Sequence, residues 1–332
     1  MPRPRKPASP FRYFNSSPEV IRLVVMMYVR FPLSLRNVED LLFERGIDVC
    51  HETMRHWWNR FGPLFAADVR RQRVSRPCQT KCTWRPGRFE VRHRMPRPRK
   101  PASPFRYFNS SPEVIRLVVM MYVRFPLSLR NVEDLLFERG IDICHETVRH
   151  WWNRFGPMFA GHIRRQRASR MRGFRHWRWH LDEMYVKLNG EMVYLWRAVD
   201  HEGEILESYV TRTRDKDAAL RFMKKALKRH GPVDAITTDG LRSYNAAMTE
   251  LGCEQKQEVG RWANNRAENA HLSFRRRERA MLRFRRMKSL QKFASVHANV
   301  YNHFSQERHL VDRQTYKARR SAALAEWQIL VA

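Results

Sequence analysis

The chain has 332 residues, with 64 Lys and Arg against 33 Asp and Glu, for a formal charge of +31. An excess that large and that widely spread is not one charged tail, and it makes a polyanion, nucleic acid above all, the default partner. The longest apolar run, Leu117 to Val123, is far too short to span a bilayer, and the basic start Met1-Pro2-Arg3 has no apolar stretch behind it, so a cytoplasmic, nucleoid-associated protein without membrane contact is expected. Five cysteines are an odd number and argue against a disulfide scaffold, while Cys78 and Cys82 lack a second ligand pair for zinc.

Along the chain the first feature is a repeat. Residues 1–76 return at 95–170 with seven differences, five of them small apolar exchanges such as Val49/Ile143 and Leu64/Met158. Both copies therefore keep one foldable pattern. The intervening 77–94 is irregular and Arg-rich, as translated junction sequence is, and Met95 looks like the start of a complete unit.

Within the second copy a DNA-binding domain is expected over 95–163, where Ser-Ser-Pro-Glu opens a helix over Pro112 to Val123. Ser128 caps a second helix, Leu129 to Arg139, which Gly140 ends, and His145 to Phe155 forms a third. Helix, short Gly turn, helix is the helix-turn-helix pattern. Its second helix would offer Glu146, Arg149, His150, Asn153 and Arg154 to a DNA groove, with Trp151 or Trp152 in the core. An ordinary three-helix bundle is the plainer alternative. A basic, aromatic linker follows over 164–178, where Arg172 and Arg175 alternate with aromatic rings in a manner that suits phosphate contact and base stacking.

From Trp179 the apolar period changes from helical to alternating. Strands are expected at Trp179 to Leu188, Met192 to Asp200 and Ile205 to Thr213, the first two joined by the Asn189-Gly190 hairpin. A helix over Asp217 to His230, a short buried strand at Ala235 to Thr238, a helix over Tyr244 to Leu251 and a polar helix opened by Glu268 come next. Further helices are expected over 286–332. This order predicts an α/β protein, a mixed ribonuclease-H-like sheet over 179–285 preceded by a duplicated all-α helix-turn-helix domain.

Acidic residues at the ends of apolar strands in so basic a chain ask for a reason, and metal is the one favoured here. Asp182 lies mid-strand, Asp239 closes the strand Ala235 to Thr238, and Glu268 sits in a helix's first turn. Three carboxylates from distant segments can hold two Mg2+ ions, or Mn2+ as a substitute, and such a pair clamps the attacking and leaving oxygens of a phosphoryl displacement. Arg275 falls two helical turns after Glu268, placed to meet a phosphate. Glu183 is set aside because strand alternation points it away from Asp182, and Asp200, Asp215 and Asp217 read as turn or cap residues.

The runs WHLDEMYVK, AVD, ITTDGLRSY and GRWANNRAENAH, followed by FRRRERAMLRFRRMKSLQKF, resemble the DDE transposases of the IS6 (IS26-like) insertion-sequence family over about 95–332. The resemblance implies a ribonuclease-H-like catalytic domain, Asp182, Asp239 and Glu268 as the metal-binding triad, Arg275 as the basic residue that follows the Glu, and replicative, cointegrate-forming transposition. It also implies that Arg149, His150 and their neighbours recognise terminal inverted repeats in double-stranded DNA. Trp262 joins the expected DNA-contacting set, and a homodimer is expected by analogy. The extra N-terminal copy is not a family feature. Alternatives are a ribonuclease-H-like nuclease using the same acids and an inactive DNA-binding remnant.

Overall fold

The computed structural model describes residues 11, 14, 16–74, 103–170, 178–260, 264–281, 284–305 and 311–331. Two compact units divide the chain, Met1–Arg106 and Tyr107–Ala332. The first unit contains α1 (Pro18–Arg30), α2 (Leu35–Phe43) and α3 (His51–Val74). Ser17 and Ser34 cap α1 and α2, and Ile21, Val24, Met27, Leu41, Leu42 and Phe61 close its core.

The second unit opens with the same three helices, α4 (Pro112–Arg124), α5 (Leu129–Phe137) and α6 (His145–Arg170). It continues through β1 (Arg178–Leu188), β2 (Glu191–Asp200), β3 (Ile205–Thr211), α7 (Lys216–His230), β4 (Ala235–Thr238), α8 (Arg242–Glu250), β5 (Gln257–Val259), α9 (Asn265–Ala280), α10 (Met287–Phe304) and α11 (Arg313–Gln328). A reciprocal capping box between Ser128 and Asn131 starts α5, and Gly140, at φ +71°, ends it in the left-handed conformation that a Cβ disfavours. Glu133 on α5 then accepts bonds from the backbone N–H and ring Nδ1 of His145, which fixes the start of α6.

Helices α1 and α4 have one sequence and two environments. Arg22, Tyr28 and Val29 are exposed or half-buried on α1, whereas Arg116, Tyr122 and Val123 are buried on α4. The second unit covers that face with α10 and α11: Arg116 Nε donates to the Leu330 carbonyl at 2.9 Å, and Trp327 Nε1 donates to the Arg116 carbonyl at 3.0 Å.

Helix α6 runs past the expected end near Phe155 to Arg170, so Arg164 to Arg170 are helical rather than linker. Pro157 lies inside it, and proline removes the bond to the carbonyl four residues back, that of Asn153. Lys292 on α10 supplies the missing donor, its Nζ lying 2.7 Å from the Asn153 carbonyl and 3.1 Å from Asn153 Oδ1. The corresponding α3 also runs unbroken through Pro63, so the helix does not depend on the lysine, which satisfies a carbonyl that the proline leaves without a donor.

The five strands form one sheet in the order β3-β2-β1-β4-β5. The first three are antiparallel, and β4 and β5 run parallel to β1, which is the ribonuclease-H-like arrangement. One face carries Trp179, Leu181, Trp196 and Ala198 against α7 and α8, and the other carries Val199 and Ile205 against α9 and α10. Strand β5, three residues long, has no signal in the sequence. At the opposite edge, α10 caps β3: the Asn302 amide bonds both the N–H and the carbonyl of Ile205 at 2.9 Å, and Gln291 bonds the Val210 N–H and the Ser208 carbonyl. From Gln291 to Asn302 the helix makes about three turns, so both amides fall on one face of α10 and satisfy an edge that would otherwise be open to another strand.

Candidate active site

Parallel pairing sets the site. Trp179 and His180 pair with Ile236 and Thr237, so Asp239, two residues beyond Thr237, is level with Asp182 on the neighbouring strand. Gly240, at φ +82°, turns the chain there, and Asp239 Oδ1 accepts the Leu241 N–H at 3.1 Å. Asp182 is 13% exposed, and its Oδ2 lies 3.3 Å from His271 Nδ1 on α9. Burial holds the His271 ring below its ordinary pKa, which the adjoining Asp182 only partly offsets.

Among the described residues one acidic group closes tightly: oxygens of Asp182, Glu183 and Asp239 lie within 4.8 Å of one another. Glu183 enters this group against the expectation from alternation. Its side chain does start on the opposite sheet face, beneath Tyr244 of α8, but Arg214 draws it to the strand end. The guanidinium Nε donates to Glu183 Oε1 at 2.6 Å, and an Nη of the same group reaches Asp239 at 3.9 Å. Burial pushes the Glu183 carboxyl up to about 7 against the pull of Arg214, with the Asp239 charge adding to the rise.

Glu268 is exposed in the first turn of α9, outside the tight group, and one turn ahead of His271. Placement of α9 rests on Arg197, the cross-strand partner of Asp182: this fully buried guanidinium donates to the Ala270 carbonyl at 2.6 Å and lies over the Phe274 ring. Burial depresses it to about 9. Arg275 bonds Glu278 at 3.0 Å and stacks on Tyr185 of β1, at 27% exposure. Sequence reasoning passes over Glu183, Arg214 and Arg197. The available signal is the doublet Asp182-Glu183 in a buried strand, because two adjacent carboxylates there cannot both face water.

Of the expected DNA contacts, Arg149 is 53% exposed and pairs with Glu146 at 3.2 Å, and His150 is exposed beside Phe108. Arg154 is exposed and lies over the Phe108 and Phe155 rings. Asn153 is exposed, but Lys292 occupies its side-chain oxygen. Both Trp151 and Trp152 are buried anchors. Arg172, Arg175 and Trp262 lie outside the described residues, as do Cys78 and Cys82. Among the described residues no helix is long and apolar enough to cross a membrane.

A DDE domain of the IS240 transposase family matches residues 176–307. The chain is 31% identical over 147 residues to the transposase for insertion sequence-like element IS431mec of Staphylococcus aureus, covering 44% of this chain and 63% of that one. The transposase for insertion sequence element IS257 in transposon Tn4003, also from Staphylococcus aureus, matches with the same identity and coverage. An uncharacterized Yersinia pseudotuberculosis protein, pYV0051, is 37% identical over 81 residues, 24% of this chain and 76% of its own length. The chain thus spans 63% of the length of the two transposases it matches.

Proposed function

We propose that this chain, which belongs to the IS6 family of DDE transposases, binds the terminal inverted repeats of its insertion sequence and catalyses strand cleavage and strand transfer by the replicative, cointegrate-forming route. The observation that carries the reading is the approach of Asp182, on β1, and Asp239, just past the end of the parallel strand β4, to within 4.8 Å, with the helix of Glu268 docked over Asp182 through His271.

An all-oxygen set of closely spaced carboxylates fits a hard divalent cation, which takes carboxylate oxygens and keeps positions for water. Asp182 and Asp239 would hold Mg2+ or Mn2+, with Glu183 beside them and Glu268 closing the site from α9. Such an ion supplies Lewis acidity at the scissile phosphate and lowers the pKa of a bound water or 3′-hydroxyl. The protein's own part is positional. His271 and Arg197 keep Asp182 and α9 in register, Arg214 balances the carboxylates before metal arrives, and Arg275 is placed to take a non-bridging phosphate oxygen. Arg149, His150, Arg154 and the free amide of Asn153 would read the element ends, with Arg172, Arg175 and Trp262 contacting DNA further along. Two ends are joined in one event, so a homodimer acting in the cytoplasm on nucleoid DNA completes the proposal.

The test is joining of a labelled duplex from the outer end of the element to a supercoiled plasmid by the full chain, with Mg2+, with Mn2+ and with EDTA. The parent joins ends only with a divalent ion, while Asp182→Asn and Glu268→Gln bind the duplex and do not join it. Cleavage without joining would mark a nuclease instead, and binding without cleavage under any divalent ion would mark a DNA-binding remnant.

A further inference from the structure

The second unit holds a cavity of about 550 Å³ walled by α6, β3, α7 and α10, apart from the carboxylate site. Its wall is strongly cationic. Arg164 and Arg165 enter from α6, both exposed and neither ion-paired among the described residues. Lys225 and Arg229 enter from α7, and the buried Glu207 on β3 grips both, with Lys225 Nζ at 3.2 Å and Arg229 closer still. One carboxylate shared by two cations fixes their position and leaves positive charge over. Arg167, also at the wall, is balanced by Glu204.

Guanidinium forks match tetrahedral oxyanions, which makes phosphate the acceptor that such a wall selects.

We infer that this cavity binds a phosphate ester, and that its source is the backbone of the DNA held at the carboxylate site, a choice that rests on the transposase reading above. Ser208, in the cavity wall, pairs with Arg197, which pairs with Asp182, so the cavity lies two strands, about 10 Å, from Asp182 in the plane of the sheet. The cavity thereby adds a sequence-independent grip at a distance from the recognition end of α6.

The test uses the full chain, a duplex of about 30 base pairs and arbitrary sequence, and fluorescence anisotropy across a salt series in EDTA. Arg164→Gln/Arg165→Gln removes up to two phosphate contacts, so the slope of log K against log salt should flatten by up to about 1.8, at about 0.9 per contact. The charge-matched double Lys224→Gln/Lys228→Gln, on α7 outside the cavity, should flatten it less. A second arm follows thermal unfolding in inorganic phosphate and in dAMP. Stabilisation of the parent that the Arg164/Arg165 double abolishes, with no change in the duplex slope, would keep the phosphate chemistry and assign a free ester as its source. Equal slopes for the two doubles, with no phosphate or dAMP effect, would overturn the site. Should the parent fail to bind duplex at all, the transposase reading falls and the phosphate arm alone decides the cavity.

Discussion

Glu183→Gln, in metal-free protein, is the sharpest test of the acidic group. The Glu183 carboxyl stands at about 7 in the folded chain against an ordinary 4.5, chiefly because its side chain is 3% exposed. A shift of that size corresponds to on the order of 3 kcal/mol, at about 1.4 kcal/mol per pH unit. The folded state holds this proton more tightly than the unfolded one, so parental stability is full below about pH 4.5 and is lost as pH rises through about 7. Glutamine does not titrate. Urea unfolding in EDTA should therefore show the variant gaining on the parent by on the order of 3 kcal/mol between about pH 4.5 and about pH 8, less what the lost Arg214 contact costs. A divalent ion should narrow the gap from the other side, because it binds the parent's intact carboxylate set more tightly than the variant's. Parallel pH profiles for the two proteins would refute the reasoning, since they would mean that Glu183 is ionised at no cost where it lies.

Asn302→Ala strands the Ile205 N–H and carbonyl at the sheet edge, and with about 1–3 kcal/mol for each orphaned group a loss of about 2–6 kcal/mol is expected. A drop in the urea midpoint equivalent to less than about 1 kcal/mol would show that water replaces the amide at that edge. His297 is buried between Phe274 and Phe293, and burial, with Arg197 and Arg277 adding to it, holds its ring well below 6.5. The unfolded chain then binds a proton that the folded chain refuses, so stability is full above about pH 6.5 and falls on acidification. His297→Phe should lessen that fall between about pH 7 and about pH 5 in thermal melts, and an unchanged profile would place the acid sensitivity elsewhere.

Much of this architecture is legible in the sequence because its signals are short-range. Ser111 and Ser128 cap helices that begin where the residue pattern places them, and the Asn189-Gly190 turn joins β1 to β2 as a hairpin. Asp182 and Asp239 stand out as carboxylates in or at the end of apolar strands, and those strands are neighbours in the sheet. The end of α6 is not legible in this way. A proline inside the segment argues for a stop, yet both copies run through it as one helix, α3 past Pro63 and α6 past Pro157. What the tertiary structure adds to α6 is Lys292, 139 positions along the chain from the Asn153 carbonyl it bonds.

By itself the sequence determined the repeat, the helix caps, the strand periods, the two aspartates and the excess of positive charge, all of which follow from residue type and spacing within a few positions. Only the tertiary structure brought Glu183 beside Asp182 and Asp239, since alternation sends it to the other face and Arg214, arriving from beyond β3, bonds it there. The same holds for the two fates of one helix sequence, half-covered as α1 and buried as α4, because what covers a face is set by α10 and α11 and not by the helix that carries it. Local order is written in neighbouring residues, whereas a site that gathers charge from separate segments exists only once burial has made its cost and its compensation simultaneous.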